Sequence, residues 1–474
     1  MMRIETHQHF LESRIFEEIH IGDSSSLVRS LRAEDIKLFA IMSGDINSAM
    51  GDREFASSGA FREVIAHGMW SASLISTTLG TQFPGPGTVL VDQALHFAQP
   101  VRLGDTITVT VTVKQMYVHN RHIVFDCMCA NQDGLQVVHG TAEVLAPVEK
   151  VISKRVDLPG ITISDKFARL QTLISRAKGL APIDMAVVHP CDPESLKGAL
   201  LAADAGLIVP ILIGPEAKIR AVADEFGLDL KQHRIVNVRH SHESAAMGVT
   251  LIRSGDAEAL MKGSLHTDEL MAEVVSRSAG LRTARRISHL FLMDVPTYPR
   301  PILITDAAIN IAPTLEEKVD IIQNAIDFAH IIGLAEPKVA ILSAVETVNS
   351  KIQSTLDAAA LCKMADRGQI TGGLLDGPLA FDNAVSVEAA KTKGINSRVA
   401  GRAEILVVPD LESGNMVAKQ LEYLANALTA GIVLGATVPI VVTSRADTAE
   451  TRIASCVIAT LIAHANRNNA PTAE

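Results

Sequence analysis

Pro439-Ile440-Val441-Val442-Thr443-Ser444-Arg445-Ala446-Asp447-Thr448 places an apolar run directly before hydroxyls, a guanidinium and a carboxylate. A short continuous apolar run of this kind predicts a strand buried on both faces, Ile440 to Val442, in a parallel sheet. The polar groups behind it are expected at the start of a helix. Free amide N–H groups at a helix start favour phosphate. An arginine adds a planar donor pair that matches two phosphate oxygens. The same residues also have a plainer reading, with Ser444 as a helix cap and Arg445 as a surface ion pair.

Working outward, strand and helix alternate. Strands are expected at Met185–Val188, Val209–Ile213, Arg234–Val238, His289–Met293, Pro301–Ile304, Lys338–Leu342 and Glu404–Val408. Helices are expected at Glu194–Ala205, Leu315–Ile332 and Met416–Ala430. This predicts an α/β repeat on a mostly parallel sheet, long enough to form two lobes with a cleft. Such sheets carry function at the carboxyl ends of their strands. Polar clusters fall there: Asp306 and Asn310 in Thr305–Asn310, and Asp376 and Asp382 on a Gly377-Pro378 turn. Asn415 follows Leu411–Gly414 just before a helix, and Lys262 stands in Leu260-Met261-Lys262-Gly263.

The front of the chain reads differently. Ala33–Met42 predicts a short helix, and Phe61–Leu79 has apolar residues at helical spacing. After Pro84-Gly85-Pro86-Gly87 come strand-like runs at Val89–Phe97, Thr106–Met116, His122–Ala130 and Val137–Leu145. Asn131–Gly134 is the expected hairpin turn. A helix followed by antiparallel strands is an α+β pattern. Gly44-Asp45-Ile46-Asn47 puts a carboxylate and an amide on a tight turn, where Asp45 serves as a base if buried or simply shapes the turn. The composition becomes charged and irregular from Ala146 to Pro159. The expected division is a domain at 1–146, a linker at 147–159 and a second domain at 160–474.

Composition bounds the rest. Of 474 residues, 47% are hydrophobic and 20% charged, as in a soluble multidomain protein. The net charge of -10 argues against general nucleic-acid binding but allows a local basic pocket. Five cysteines form no C-x-x-C pair, and His119, His122 and His139 lack metal-ligand spacing, so no metal site is expected. The start is charged and no run of 18 apolar residues occurs, which argues against a signal peptide and a membrane span. A reducing, cytoplasmic setting is expected.

The front module resembles a MaoC-like (R)-specific enoyl-CoA hydratase domain of the hot-dog fold. The matching stretches are Phe39–Asn47, Ile65–Met69, Pro84–Thr88 and Pro100–Asp105. The resemblance implies pairing into homo-oligomers and a hydratase-like site at Asp45, Asn47 and His67. That family has a histidine five residues after the Asp. Here the position is Met50, whose thioether is neither acid nor base near neutral pH. His67 belongs to the family pattern in its own right and does not replace the missing residue.

The back module resembles the phosphate acetyl/butyryltransferase family over about 160–470. The resemblance implies a two-lobed α/β/α fold like that of isocitrate and isopropylmalate dehydrogenases. It implies the reaction acyl-CoA + phosphate ⇌ acyl phosphate + CoA, with an acetyl or butyryl group. CoA thioester and phosphate are substrates, and no cofactor is tightly bound. Ser444 and Arg445 match the family's acyl-phosphate pair. Lys262, Asp306, Asn310, Asp376, Asp382 and Asn415 would line the cleft. The family's thiol base, seven residues after the Ser, is Thr451 here, with Asp447 and Glu450 nearby. Alternatives are a bifunctional enzyme that also hydrates 2-enoyl-CoA and a non-catalytic acyl-CoA-binding scaffold. A dehydrogenase on the same fold would need a nucleotide site and metal carboxylates that the sequence does not offer.

Overall fold

The computed structural model describes residues 10–45, 64–154, 156, 168–231, 233–443 and 447–469. The chain divides into two compact units, Met1–Ile163 and Ser164–Glu474.

In the first unit, five antiparallel strands lie in the order Ser24–Ser30, Thr106–Tyr117, His122–Ala130, Gln136–Leu145 and Val89–Phe97. Strand Thr106–Tyr117 shows the period of two that half-burial requires, with Ile107, Val109, Val111 and Val113 all turned inward. The inward face packs on helix Gly68–Thr81 through Trp70, Leu74, Ile75 and Leu79. A short antiparallel pair, Phe10–Glu12 with Ile152–Lys154, joins the two ends of the unit.

The helix expected from Phe61 begins at Gly68 instead. Val64 and Ala66 hydrogen-bond with Leu103 and Val101, and Ile65 bridges Arg102. Helical spacing continued through residues whose backbone bonds go to a neighbouring segment.

The second unit is built on an eleven-stranded sheet among the described residues. Five parallel strands, Ile235–Asn237, Ile208–Gly214, Ile183–Val188, Ala259–Lys262 and Ile440–Val441, form one half. Ile302–Thr305, Ile405–Val407, Lys338–Leu342 and Leu374–Leu379 form a second parallel half. Between them, Leu428–Leu434 and Ser288–Asp294 pair antiparallel with each other and with both halves. Helices cover the sheet. The last, Ala449–Asn469, buries Ala454, Val457, Ile458, Leu461 and Ile462 in the core.

Three local expectations change. Leu374–Leu379 is a strand, so Gly377-Pro378 lies within it and not on a turn. It is the outermost strand, where a proline's missing N–H is tolerated. A Cβ on Gly377 would come within 2.8 Å of Ile341, which is why a glycine fits. The helix expected at Met416–Ala430 runs Leu411–Leu424, and Leu428–Leu434 is a fully formed strand. Asn415 therefore lies inside the helix, which is capped by Asp410 accepting from the Ser413 N–H.

Candidate functional site

The carboxyl ends of three adjacent parallel strands meet in the first half of the sheet. Strand Ile183–Val188 leads into His189, Ala259–Lys262 ends on Lys262, and Ile440–Val441 leads into Val442 and Thr443. Met261 pairs with Val441, so the register carried forward one residue sets Lys262 beside Val442. Lys262 is only 5% exposed. Gly263 behind it has no room for a side chain, since a Cβ would meet the Val188 and His189 carbonyls at 2.5 Å. Burial holds the His189 imidazole below its ordinary value, and Lys218 adds to this. The sequence reading did not single out His189.

Ser444 and Arg445 lie outside the described residues. The chain resumes at Asp447, and helix Ala449–Asn469 begins two residues later. The Thr451 N–H donates to the Thr448 hydroxyl at 3.4 Å. Thr448 therefore caps this helix. Arg452, buried in the first turn, donates to the Thr443 hydroxyl at 2.6 Å. It thereby ties the strand end to the helix.

A second cluster forms around Asp306, which is 3% exposed. One of its oxygens accepts the Ala308 and Ile309 N–H groups at 2.9 Å. The other accepts the His289 N–H at 3.1 Å and the Asn310 amide at 2.5 Å. Asn310 in turn accepts from Arg286 Nε at 2.7 Å. Asp306 and Asn310 therefore fold a tight turn and fix Arg286; the carboxylate is fully occupied by the protein. Burial holds His289 down at about 4, against a smaller upward pull from Asp306.

Helix Leu411–Leu424 connects this turn to the segment after Thr443. Asn415 Nδ2 donates to the Ala307 carbonyl at 3.4 Å. Four residues on, and so on the same helix face, Lys419 Nζ lies 3.8 Å from the buried Asp447 carboxylate. Gly414 lets the helix approach: a Cβ there would come within 2.8 Å of the Asp306 carbonyl oxygen. Lys419 was not picked out from the sequence, although its spacing from Asn415 was the available signal.

Asp376 and Asp382 are not part of this group. Asp376 lies three strands from Ile304, about 14 Å at ~4.8 Å per strand. It accepts its neighbour's N–H from Gly377 at 2.9 Å. Asp382 is exposed and pairs with Lys393 at 3.2 Å, which holds its carboxyl below the usual range. Both were expected in the cleft from the family resemblance; the Gly-Pro turn expected between them lies instead in strand Leu374–Leu379.

In the first unit, His67 Nε2 lies 3.1 Å from Asp45 Oδ2. The Met69 N–H donates to His67 Nδ1 at 3.0 Å, so the ring proton sits on Nε2 and points to Asp45. The Phe39 ring stacks on His67 at 4.9 Å. Asn47 and Met50 lie outside the described residues.

Comparison with known proteins decides the family. Residues 241–460 match the family described as Phosphate acetyl/butaryl transferase, and residues 21–127 match the MaoC like domain. The chain is 63% identical over 300 residues to a phosphate acetyltransferase of Rhizobium meliloti, covering 63% of this chain and 95% of that one. The chain belongs to the phosphate acetyl/butyryl transferase family. A phosphate butyryltransferase of Clostridium beijerinckii is 39% identical over 295 residues, covering 62% of this chain and 98% of that one. A branched-chain phosphotransacylase from Enterococcus faecalis superposes with a TM-score of 0.53 at 30% identity, over 60% of this chain and 99% of that one. This member of the family thus joins an N-terminal MaoC-like hot-dog domain to a C-terminal phosphotransacylase fold. Among the described residues, no helix is long and apolar enough to cross a membrane.

Proposed function

We propose that the second unit transfers an acyl group between CoA and phosphate, acyl-CoA + phosphate ⇌ acyl phosphate + CoA, with acetyl or butyryl as the group. The observation that carries this reading is the helix Leu411–Leu424, whose one face reaches both the Asp306 turn and Asp447. Ser444-Arg445 falls between Asp447 and the strand end beside Lys262. In this reading Arg445 neutralises the phosphoryl oxygens and Ser444 donates to the carbonyl or bridging oxygen. Lys262 supplies a second positive charge, and Asp306, Asn310 and Asn415 shape the wall. The work is mostly holding two anions at one carbonyl.

The finer assignments belong to the same proposal. Two parallel half-sheets around an antiparallel seam support the two-lobed architecture of the isocitrate and isopropylmalate dehydrogenases. The domains are taken as 1–146 and 160–474 with a linker between, and CoA and phosphate enter as substrates with no tightly bound cofactor. We place the enzyme in the cytoplasm as a homo-oligomer, without nucleic-acid or membrane partners. The test is phosphate-dependent CoA release from acetyl-, butyryl- and longer acyl-CoA, with wild type and Arg445→Ala. Unchanged turnover in the variant would defeat the site assignment.

A second reading concerns the first unit. The Asp45–His67 contact favours a retained acyl-CoA pocket whose acid/base pair is incomplete at Met50. Hydration of 2-enoyl-CoA to (R)-3-hydroxyacyl-CoA is the activity to assay there.

A further inference from the structure

Strand Ile440–Val441 has function proposed at only one of its ends. Its carboxyl end leads into Thr443 and the acyl-transfer residues. At its amino end, Val438 and Pro439 border a cavity of about 420 Å³, within the ~300–1,000 Å³ of ordinary small-molecule sites. Helices Leu315–Ile331 and Ala449–Asn469 wall it with Phe328, Ile331 and Ile462, and Leu434 adds to the apolar surface. Among the described residues, none assigned to acyl transfer lines it.

Two polar side chains in this cavity have capacity that the protein leaves unused. Asn324 is only 5% exposed. Its Nδ2 donates to the Arg286 carbonyl at 2.9 Å and to the Ser288 hydroxyl at 3.0 Å. A carbonyl can only accept, so the nitrogen end is fixed there and Oδ1 points away from it. Among the described residues nothing donates to that oxygen. A buried acceptor without a donor is unfavourable, and a ligand N–H or O–H relieves it. Arg285 is the second group. Its Nη1 meets one oxygen of Asp327, whose other oxygen accepts from Gln323 at 2.9 Å. Nε and Nη2 meet no acceptor among the described residues, so the guanidinium keeps donors for a carboxylate. Asn324 and Asp327 are three residues apart on one helix, so their side chains start about 5–6 Å from each other. The free acceptor and the cation held by Asp327 are therefore neighbours. A ligand that meets both needs its donor within a few bonds of its anion. A nucleotide, with base and phosphate at opposite ends, does not offer this.

We propose that this cavity binds a small organic acid with an apolar tail and a hydroxyl or ammonium group close to its carboxylate. The carboxylate takes the spare donors of Arg285. The O–H or N–H donates to Asn324 Oδ1, and the tail lies on Phe328, Ile331, Leu434 and Ile462. A hydroxy acid and an apolar amino acid share this chemistry. The site stands whichever reaction the other end of the strand performs.

The experiment is isothermal titration calorimetry of the full chain with 3-hydroxyoctanoate, 2-aminooctanoate and octanoate, on wild type, Arg285→Gln and Ala284→Trp. Octanoate has the tail and the carboxylate but no donor. At least one donor-bearing acid is expected to bind wild type roughly two- to tenfold tighter than octanoate, the range of one net hydrogen bond. Binding of 3-hydroxyoctanoate alone identifies a hydroxy acid as the source, and of 2-aminooctanoate alone an amino acid. Arg285→Gln is expected to weaken binding about tenfold or more, since a charge-assisted bond is lost. Ala284 is exposed on the cavity rim, so a tryptophan there fills the space without entering the core, and binding should disappear. No binding by either donor-bearing acid overturns the inference. So does octanoate binding as tightly as both, or binding that survives Ala284→Trp. The comparison with octanoate uses wild type alone and decides the matter even if a variant fails to fold.

Discussion

His67 directs its ring proton at the Asp45 carboxylate across 3.1 Å, because the Met69 N–H already occupies its other nitrogen. Both nitrogens are engaged, so His67 orients Asp45 and has no lone pair left to act as a base. Restoring a histidine at position 50 is therefore expected to raise crotonyl-CoA hydration strongly, since a placed acid/base group contributes about 10²–10⁴-fold. Loss of enoyl-thioester absorbance on wild type, Met50→His and Met50→His/Asp45→Asn measures it. An unchanged rate in a well-folded Met50→His would show that position 50 is not what limits the site.

Gly414 is expected to be more sensitive than a surface helix position should be. A methyl there would press on the Asp306 carbonyl and on Val408, both at 2.8 Å. Overpacking of this kind costs about 1–3 kcal/mol. Because the displaced helix also carries Asn415 and Lys419, Gly414→Ala should lose a larger share of CoA release than its shift in melting temperature explains. Equal, small effects on both would show that the helix position does not govern the site.

Lys318 and Asp357 form a buried pair at 2.6 Å, their side chains only 6% and 11% exposed. Removing one partner strands the other charge away from water. Lys318→Met is expected to cost about 3–5 kcal/mol in chemical denaturation, and Lys318→Met/Asp357→Leu much less. A double variant as unstable as the single one would mean that packing, and not the stranded charge, sets the loss.

His289 predicts a pH limb. Its folded value of about 4 lies below the ordinary 6.5, chiefly through burial. The unfolded chain therefore binds the proton more readily than the folded one. Stability is fully present above pH 6.5 and is lost as the pH falls toward 4, by up to about 3 kcal/mol at ~1.4 kcal/mol per unit. Denaturation midpoints of wild type and His289→Gln between pH 7 and 4 test this. The variant should show a flatter acid limb, and parallel limbs would assign the loss to other groups.

The cysteines should be silent in the folded enzyme. Burial pushes Cys127, Cys129, Cys362 and Cys456 up to about 12 and Cys191 up to about 11. The thiolate is the reactive form. A thiol reagent at pH 8 should find almost nothing in the native chain and all five groups after denaturation. Rapid native labelling of Cys127, Cys129 or Cys456 would contradict the burial.

Much of this architecture was legible in the sequence, and the exceptions share a cause. The alternation along Thr106–Tyr117 and the apolar Ile440–Val442 run announce their elements because local pattern and tertiary environment agree. Leu428–Leu434 does not. Its Leu428, Thr429 and Ala430 read as a continued helix, and only the assembled sheet explains the glycine that follows: a Cβ at 431 would meet the Val442 carbonyl at 2.9 Å and His289 at 3.2 Å. The site divides the same way. Asp306 and Asn310 stood out as a motif and do act together. The turn expected at Gly377-Pro378, between Asp376 and Asp382, is instead part of a strand, where its glycine and proline serve packing at a sheet edge. Lys419 carries no motif beyond its spacing from Asn415; its meaning comes from facing Asp447 in the folded chain.

The seam of the large sheet has a consequence for how the chain is made. Leu428–Leu434 pairs with Ser288–Asp294, and Ile440–Val441 then turns back to complete a half-sheet whose other strands end at Lys262. During synthesis the strands up to residue 262 are exported long before the one that closes their edge. Until residue 441 leaves the ribosome, Ala259–Lys262 presents an unpaired strand edge, the kind of surface that recruits foreign strands. The first unit ends at residue 163, so its strands wait for no segment beyond it. Slow elongation or a premature stop between 262 and 441 should therefore send this protein toward aggregation through its second unit, with the first already folded.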